Sequence, residues 1–160
     1  MPLGHLDQRS SDWERHERPG DRQMVRLAAA ERDVLIVTCA LSAGVHAALV
    51  REHFAEGAGA GGGFLASVVL LAGLVIVLSF RPPTASSLLV ACAVLSGLLV
   101  SYALAITTGV PVLHPDVEPV EGLALVTKAI EAVGLLVGLH MLQRRCPAVS
   151  HPRPTERNIA

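Results

Sequence analysis

The only lysine in the chain, Lys128, sits in an apolar run, Leu123–Leu142, three residues before Glu131. A charge at the centre of a membrane-crossing helix costs roughly 2.5–3.5 kcal/mol or more, so ionisable residues in such runs are functional candidates. A second group lies in an earlier apolar run. Cys39, His46 and His53 are spaced by seven residues. Seven residues are nearly two helical turns, so all three share one stripe. Glu121 and Lys128 are also seven apart, with Glu131 about one turn further on.

Histidine with carboxylate suits divalent transition metals such as Zn, Cu(II), Fe or Ni. The candidate metal ligands are His46, Glu52, His53, His114 and Glu131, and Lys128–Glu131 is a candidate intramembrane charge pair. By helix rise, His46 lies about 6–12 Å below the outer rim and Glu131 roughly 12 Å below it. They can meet if their helices are neighbours. His46-x5-Glu52-His53 matches no dedicated metal motif such as HExxH. Three chemistries therefore stay open for these residues. They are a structural hydrogen-bonded cluster that fixes helix packing, a metal site, and a proton or ion relay. Lys128 can also snorkel its amine towards the outer headgroups. Cys39 is about 10 Å below His46, too far to share one ion. His140 lies at the opposite end from His46, so the two cannot ligate one haem. Tyr102, Thr107 and Thr108 either line the same outer cavity or bond backbone carbonyls. Cys92 and Ser96 are expected to pack rather than ligate. No catalytic residue is assigned: the chain has no Ser-His-Asp arrangement, P-loop or dinucleotide fingerprint, and the glycines at 57–63 lack the Lys-Ser/Thr of a phosphate loop.

Four helices must position these groups. Of 160 residues 51% are hydrophobic and the mean hydropathy is +0.50. What decides the class is that the apolar residues are blocked rather than dispersed. The blocks are 34–50, 64–80, 87–108 and 123–142, each near the roughly 17–25 residues a spanning helix needs. The expected fold is all-α: a four-helix transmembrane bundle of the cell membrane, multi-pass.

Positive charge orients it. Arg9, Arg15, Arg18, Arg22, Arg26 and Arg32 precede the first run, Arg81 lies between the second and third, and Arg144, Arg145, Arg153 and Arg157 follow the fourth. The first–second loop has Arg51 alone, and the third–fourth has no basic residue. Both termini are therefore expected in the cytoplasm. The domain plan is a disordered polar segment 1–20, an amphipathic cytoplasmic helix 21–33, the transmembrane domain 34–142 and a cytoplasmic tail 143–160. The polar first 32 residues lack a secretory-signal arrangement, so the first helix is expected as a retained anchor. The glycines at 57–63 are expected to form a flexible outer linker. Prolines 111, 115 and 119 stiffen the other outer loop.

The segments AGVHAALVREHF (Ala43–Phe54), TTGVP (Thr107–Pro111) and GLALVTKAIE (Gly122–Glu131) carry a resemblance to an uncharacterised family of small four-helix actinobacterial integral membrane proteins. The resemblance covers about residues 34–142 and departs at the glycine-rich 61–64. It implies the four-helix fold and directs attention to His46, Glu52, His53 and Glu131; it implies no activity.

The expected function is that of a small non-enzymatic membrane accessory protein with an outward-facing His/Glu cluster. The alternatives are a divalent-metal-binding or metal-handling protein, and a proton or ion pathway component. The expected partners are the lipid bilayer and a membrane protein or a second copy of the chain. A net charge of −1 gives no basis for a nucleic-acid partner.

Overall fold

The computed structural model describes residues 19–109 and 120–145. These form four helices in the order α1 (Pro19–Glu56), α2 (Ala58–Phe80), α3 (Ala85–Thr107) and α4 (Gly122–Arg145). All four are long and apolar enough to cross a membrane. The shortest have 23 residues, about 35 Å at the helical rise, against a hydrocarbon core of about 30 Å.

Each helix packs on two others. α1 contacts α2 and α4, and α3 contacts α2 and α4, with no close approach along either diagonal. This is a ring of four around a shared core. α1 runs unbroken through residues 21–33, so the segment expected as an amphipathic helix leading into the first apolar run continues directly into it.

The α1–α2 connection differs from the expected linker. Only Gly57 lies between the helices, and residues 58–63 are the first turns of α2. The Gly57 N–H bonds back to the His53 carbonyl and the Gly61 N–H to the Gly57 carbonyl, each at 3.0 Å. Helix satisfies the backbone groups of the glycine run within the chain itself. The absence of side chains also allows close packing. A Cβ on Gly61 would stand 2.3 Å from Cγ of Phe54, so that ring lies flat over the glycine backbone.

α3 starts at a capping box. Ser87 N–H donates to Thr84 Oγ1 at 3.1 Å, and Thr84 N–H donates to Ser87 Oγ at 2.8 Å. Two of the orphan donors at the helix start are thereby satisfied. The C-terminus of α2 is closed from α1. Arg32 donates from Nε to the Leu78 carbonyl at 2.7 Å and from a terminal nitrogen to the Ser79 carbonyl at 2.6 Å. A cation there satisfies orphan carbonyls and complements the helix dipole.

The core divides along its length. Towards the Arg32 end it is apolar, with Leu35, Leu71, Leu78, Leu88 and Leu95 fully buried. Towards the Gly57 end, α1 and α4 bury Ser42, His46, Thr127 and Glu131. The outward faces carry large apolar side chains such as Val69, Ile76, Val100 and Leu136.

Candidate functional site

On α1 the buried positions are 35, 38, 39, 42 and 46, of which 35, 39, 42 and 46 follow a four-three-four spacing; on α4 positions 127, 131, 134, 138 and 141 repeat it. These are coiled-coil seams, each holding one stripe against its partner helix. The polar groups lie on those seams.

Glu131 is 0% exposed and both of its carboxylate oxygens are engaged. Ser42 Oγ on α1 donates to Oε1 at 2.6 Å, and Lys128 Nζ on α4 donates to Oε2 at 2.8 Å. The expected Lys128–Glu131 pair is present. Lys128 retains 15% side-chain exposure, and its ammonium stands 5.6 Å from the centre of the Tyr102 ring on α3. One carboxylate thus ties α1 to α4, with its counter-ion against α3.

His46 joins through Ser42. Its Nδ1 lies 2.8 Å from the Ser42 carbonyl oxygen and 3.4 Å from Ser42 Oγ. A carbonyl only accepts, so Nδ1 carries the proton and donates it to the backbone. Ser42 Oγ gives its own proton to Glu131. His46 and Glu131 thus each bond to Ser42, a serine that sequence reasoning missed. The signal was available: residue 42 stands on the stripe that runs through 39, 46 and 53.

Serine, histidine and glutamate meeting in one place invites comparison with a nucleophilic triad. The bonds run the wrong way. In a triad the hydroxyl donates to an unprotonated histidine nitrogen and the carboxylate orients the ring. Here the hydroxyl donates to the carboxylate, and the nearest ring nitrogen is itself a donor.

The second histidine of α1 is held separately. His53 Nδ1 lies 2.7 Å from Glu56 Oε2. Its ring stacks on Phe64 of α2 with centroids 3.7 Å apart, and the His46 ring meets the same Phe64 at 5.2 Å. Phe64 thus lies against both imidazoles. Glu52 is exposed. His114, offered above as a further ligand, falls outside the described residues. Among the described residues no group of three or more His, Cys, Asp or Glu side chains is placed to hold a metal ion.

The remaining candidates resolve into packing. Thr107 donates to the Ala103 carbonyl at 2.6 Å, the backbone alternative weighed above. Tyr102 OH is buried and has no hydrogen-bond partner among the described residues. His140 Nε2 and an Arg144 terminal nitrogen both lie near Glu31 Oε1, at 3.6 and 3.4 Å. That cluster belongs to the opposite end of the bundle.

A second missed feature explains how α1 and α4 come so close. Gly134-Leu-Leu-Val-Gly138 is a small-xxx-small motif. A Cβ on Gly134 would lie 2.4 Å from Thr38 Cγ2 on α1, and one on Gly138 would lie 3.0 Å from Cys92 Sγ on α3. Both glycines are spent inside the chain, at the centre of the four helices.

No family model, curated protein or solved structure matches this chain.

Proposed function

We propose that this chain is a small non-enzymatic multi-pass accessory protein of the cell membrane, with both termini in the cytoplasm. Its buried Ser42–Glu131–Lys128 cluster is a polar clamp that sets the register of α1 against α4. The observation that carries this reading is the full engagement of Glu131: a carboxylate whose two oxygens each accept a short hydrogen bond at zero exposure is satisfied in place. Buried polar networks in which every member is paired rigidify and specify a packing. The apolar layer formed by Leu35, Leu71, Leu78, Leu88 and Leu95 separates the clamp from the charged Arg32 end. That layer weighs against a continuous proton or ion route. In the protein's assembly the clamp keeps one rigid unit on which a membrane partner or a second copy can dock.

A divalent-transition-metal site is the rival. In its favour, Ser42 brings His46 and Glu131 together. Elemental analysis of the detergent-purified protein beside His46→Ala separates the two. The clamp reading expects no stoichiometric metal in either protein. Stoichiometric metal in the parent that is lost in His46→Ala would overturn it.

A further inference from the structure

Among the described residues, the end of the bundle opposite the clamp is open. A cleft of about 500 Å³ lies there, walled by α1 (Ala28, Ala29, Glu31, Arg32), the end of α2, the α2–α3 turn and the last turn of α4. Four arginines line it, Arg32, Arg81, Arg144 and Arg145, against one acidic residue, Glu31. Its apolar lining is equally specific. Met141 forms part of the floor where the core ends, and Phe80 stands 84% exposed at the side.

The arginines are not equivalent. Arg32 is committed to the α2 carbonyls. Arg144 approaches Glu31 at 3.4 Å, an acid that His140 also approaches. Arg81 and Arg145 are exposed, and neither side chain has a hydrogen bond or ion pair with the described residues. Two unspent guanidiniums thus face one cleft whose only carboxylate is already shared between two cations.

We propose that this cleft binds the phosphate headgroup of an anionic membrane lipid, with Arg81 and Arg145 as its principal donors and Phe80 against the acyl chains. The proposal goes beyond the clamp but rests on the same multi-pass placement, which sets the ends of α2 and α4 at headgroup depth. Guanidinium binds phosphate oxygens through paired, parallel hydrogen bonds. Basic pockets between spanning helices at a membrane face are suited to anionic headgroups. The volume falls within the range of small-ligand sites, about 300–1,000 Å³. An exposed phenylalanine beside the basic groups is the apolar half of the same ligand's requirement. A soluble phosphate would use the arginines and leave Phe80 in water.

The test is native mass spectrometry of the full chain in detergent, titrated with phosphatidylglycerol and, separately, with phosphatidylcholine of identical acyl chains. The parent should retain one phosphatidylglycerol at least about tenfold more tightly than phosphatidylcholine, on the scale expected for a few arginines near a headgroup. Arg81→Gln/Arg145→Gln should lose that preference. Arg81→Lys/Arg145→Lys should keep most of it, and Arg26→Gln, elsewhere on α1, should keep all of it. The lysine variant carries the proposal should the glutamine variant fail to fold. Equal retention of the two lipids by the parent would overturn the cleft assignment and leave the multi-pass placement standing. Retention of neither would likewise overturn the cleft assignment. Displacement of the lipid by millimolar inorganic phosphate would reassign the cleft to a soluble anion and overturn the lipid proposal.

Discussion

Ser42 and Glu131, 89 positions apart in the chain, meet at 2.6 Å in the buried seam between α1 and α4. The serine is 1% exposed and the glutamate 0%. Hydrogen bonds to charged groups contribute about 1.5–3 kcal/mol in proteins generally, and interhelical polar contacts in membranes average nearer 0.6. Ser42→Ala should therefore destabilise the protein by about 1–2 kcal/mol. A thermal-unfolding series in detergent reads this directly. His46, whose proton goes to the Ser42 carbonyl rather than the hydroxyl, should keep its place in that variant.

Gly134 faces Thr38 with no room for a methyl group. Gly134→Ala should push α1 from α4 and cost about 1–3 kcal/mol, the usual range for overpacking. Thr38→Ala removes Cγ2, the atom in closest conflict, and should recover part of that loss when combined with Gly134→Ala. Strictly additive effects of the two changes would mean that the helices do not approach through this pair.

Tyr102 buries a hydroxyl without a partner among the described residues. Leaving a polar group unsatisfied costs about 1–3 kcal/mol, whereas an apolar group of the same shape carries no such penalty. Tyr102→Phe should be neutral or stabilising by thermal unfolding, and the ring face presented to Lys128 is retained. A clear loss of stability would show that the hydroxyl is bonded in the membrane-embedded protein.

Much of this was legible from residue types and spacing. Blocked apolar runs identified four helices, because a spanning helix needs a long uninterrupted run and a soluble domain does not. The Lys128–Glu131 pair follows from a three-residue spacing on one helix. Ser42 was harder to see, since a serine in an apolar helix usually bonds its own backbone and only tertiary packing gives it a distant acid. The glycines at 57–63 read as a linker because glycine lowers helix propensity by about 1 kcal/mol relative to alanine. Packing overrides that preference: Phe54 needs a bare backbone at Gly61. Gly134 and Gly138 were visible as a motif; that they serve contacts within the chain depends on which helices are neighbours.

The orientation is tested separately. Ala58 opens α2 directly after the one-residue connection. A cysteine placed there by Ala58→Cys, with the native cysteines replaced, should react with a membrane-impermeant maleimide added outside intact cells. Labelling only after the cells are opened would reverse the topology.

The most direct test of the clamp is a double-mutant cycle on Lys128 and Glu131, measured as unfolding free energy in detergent. Removing one member of a buried ion pair strands the other at a cost of about 3–5 kcal/mol, while replacing both with apolar residues often costs little. Lys128→Met and Glu131→Leu should each destabilise the protein, and the double variant should be more stable than the sum of the two losses predicts. Unchanged stability in both single variants would contradict the clamp.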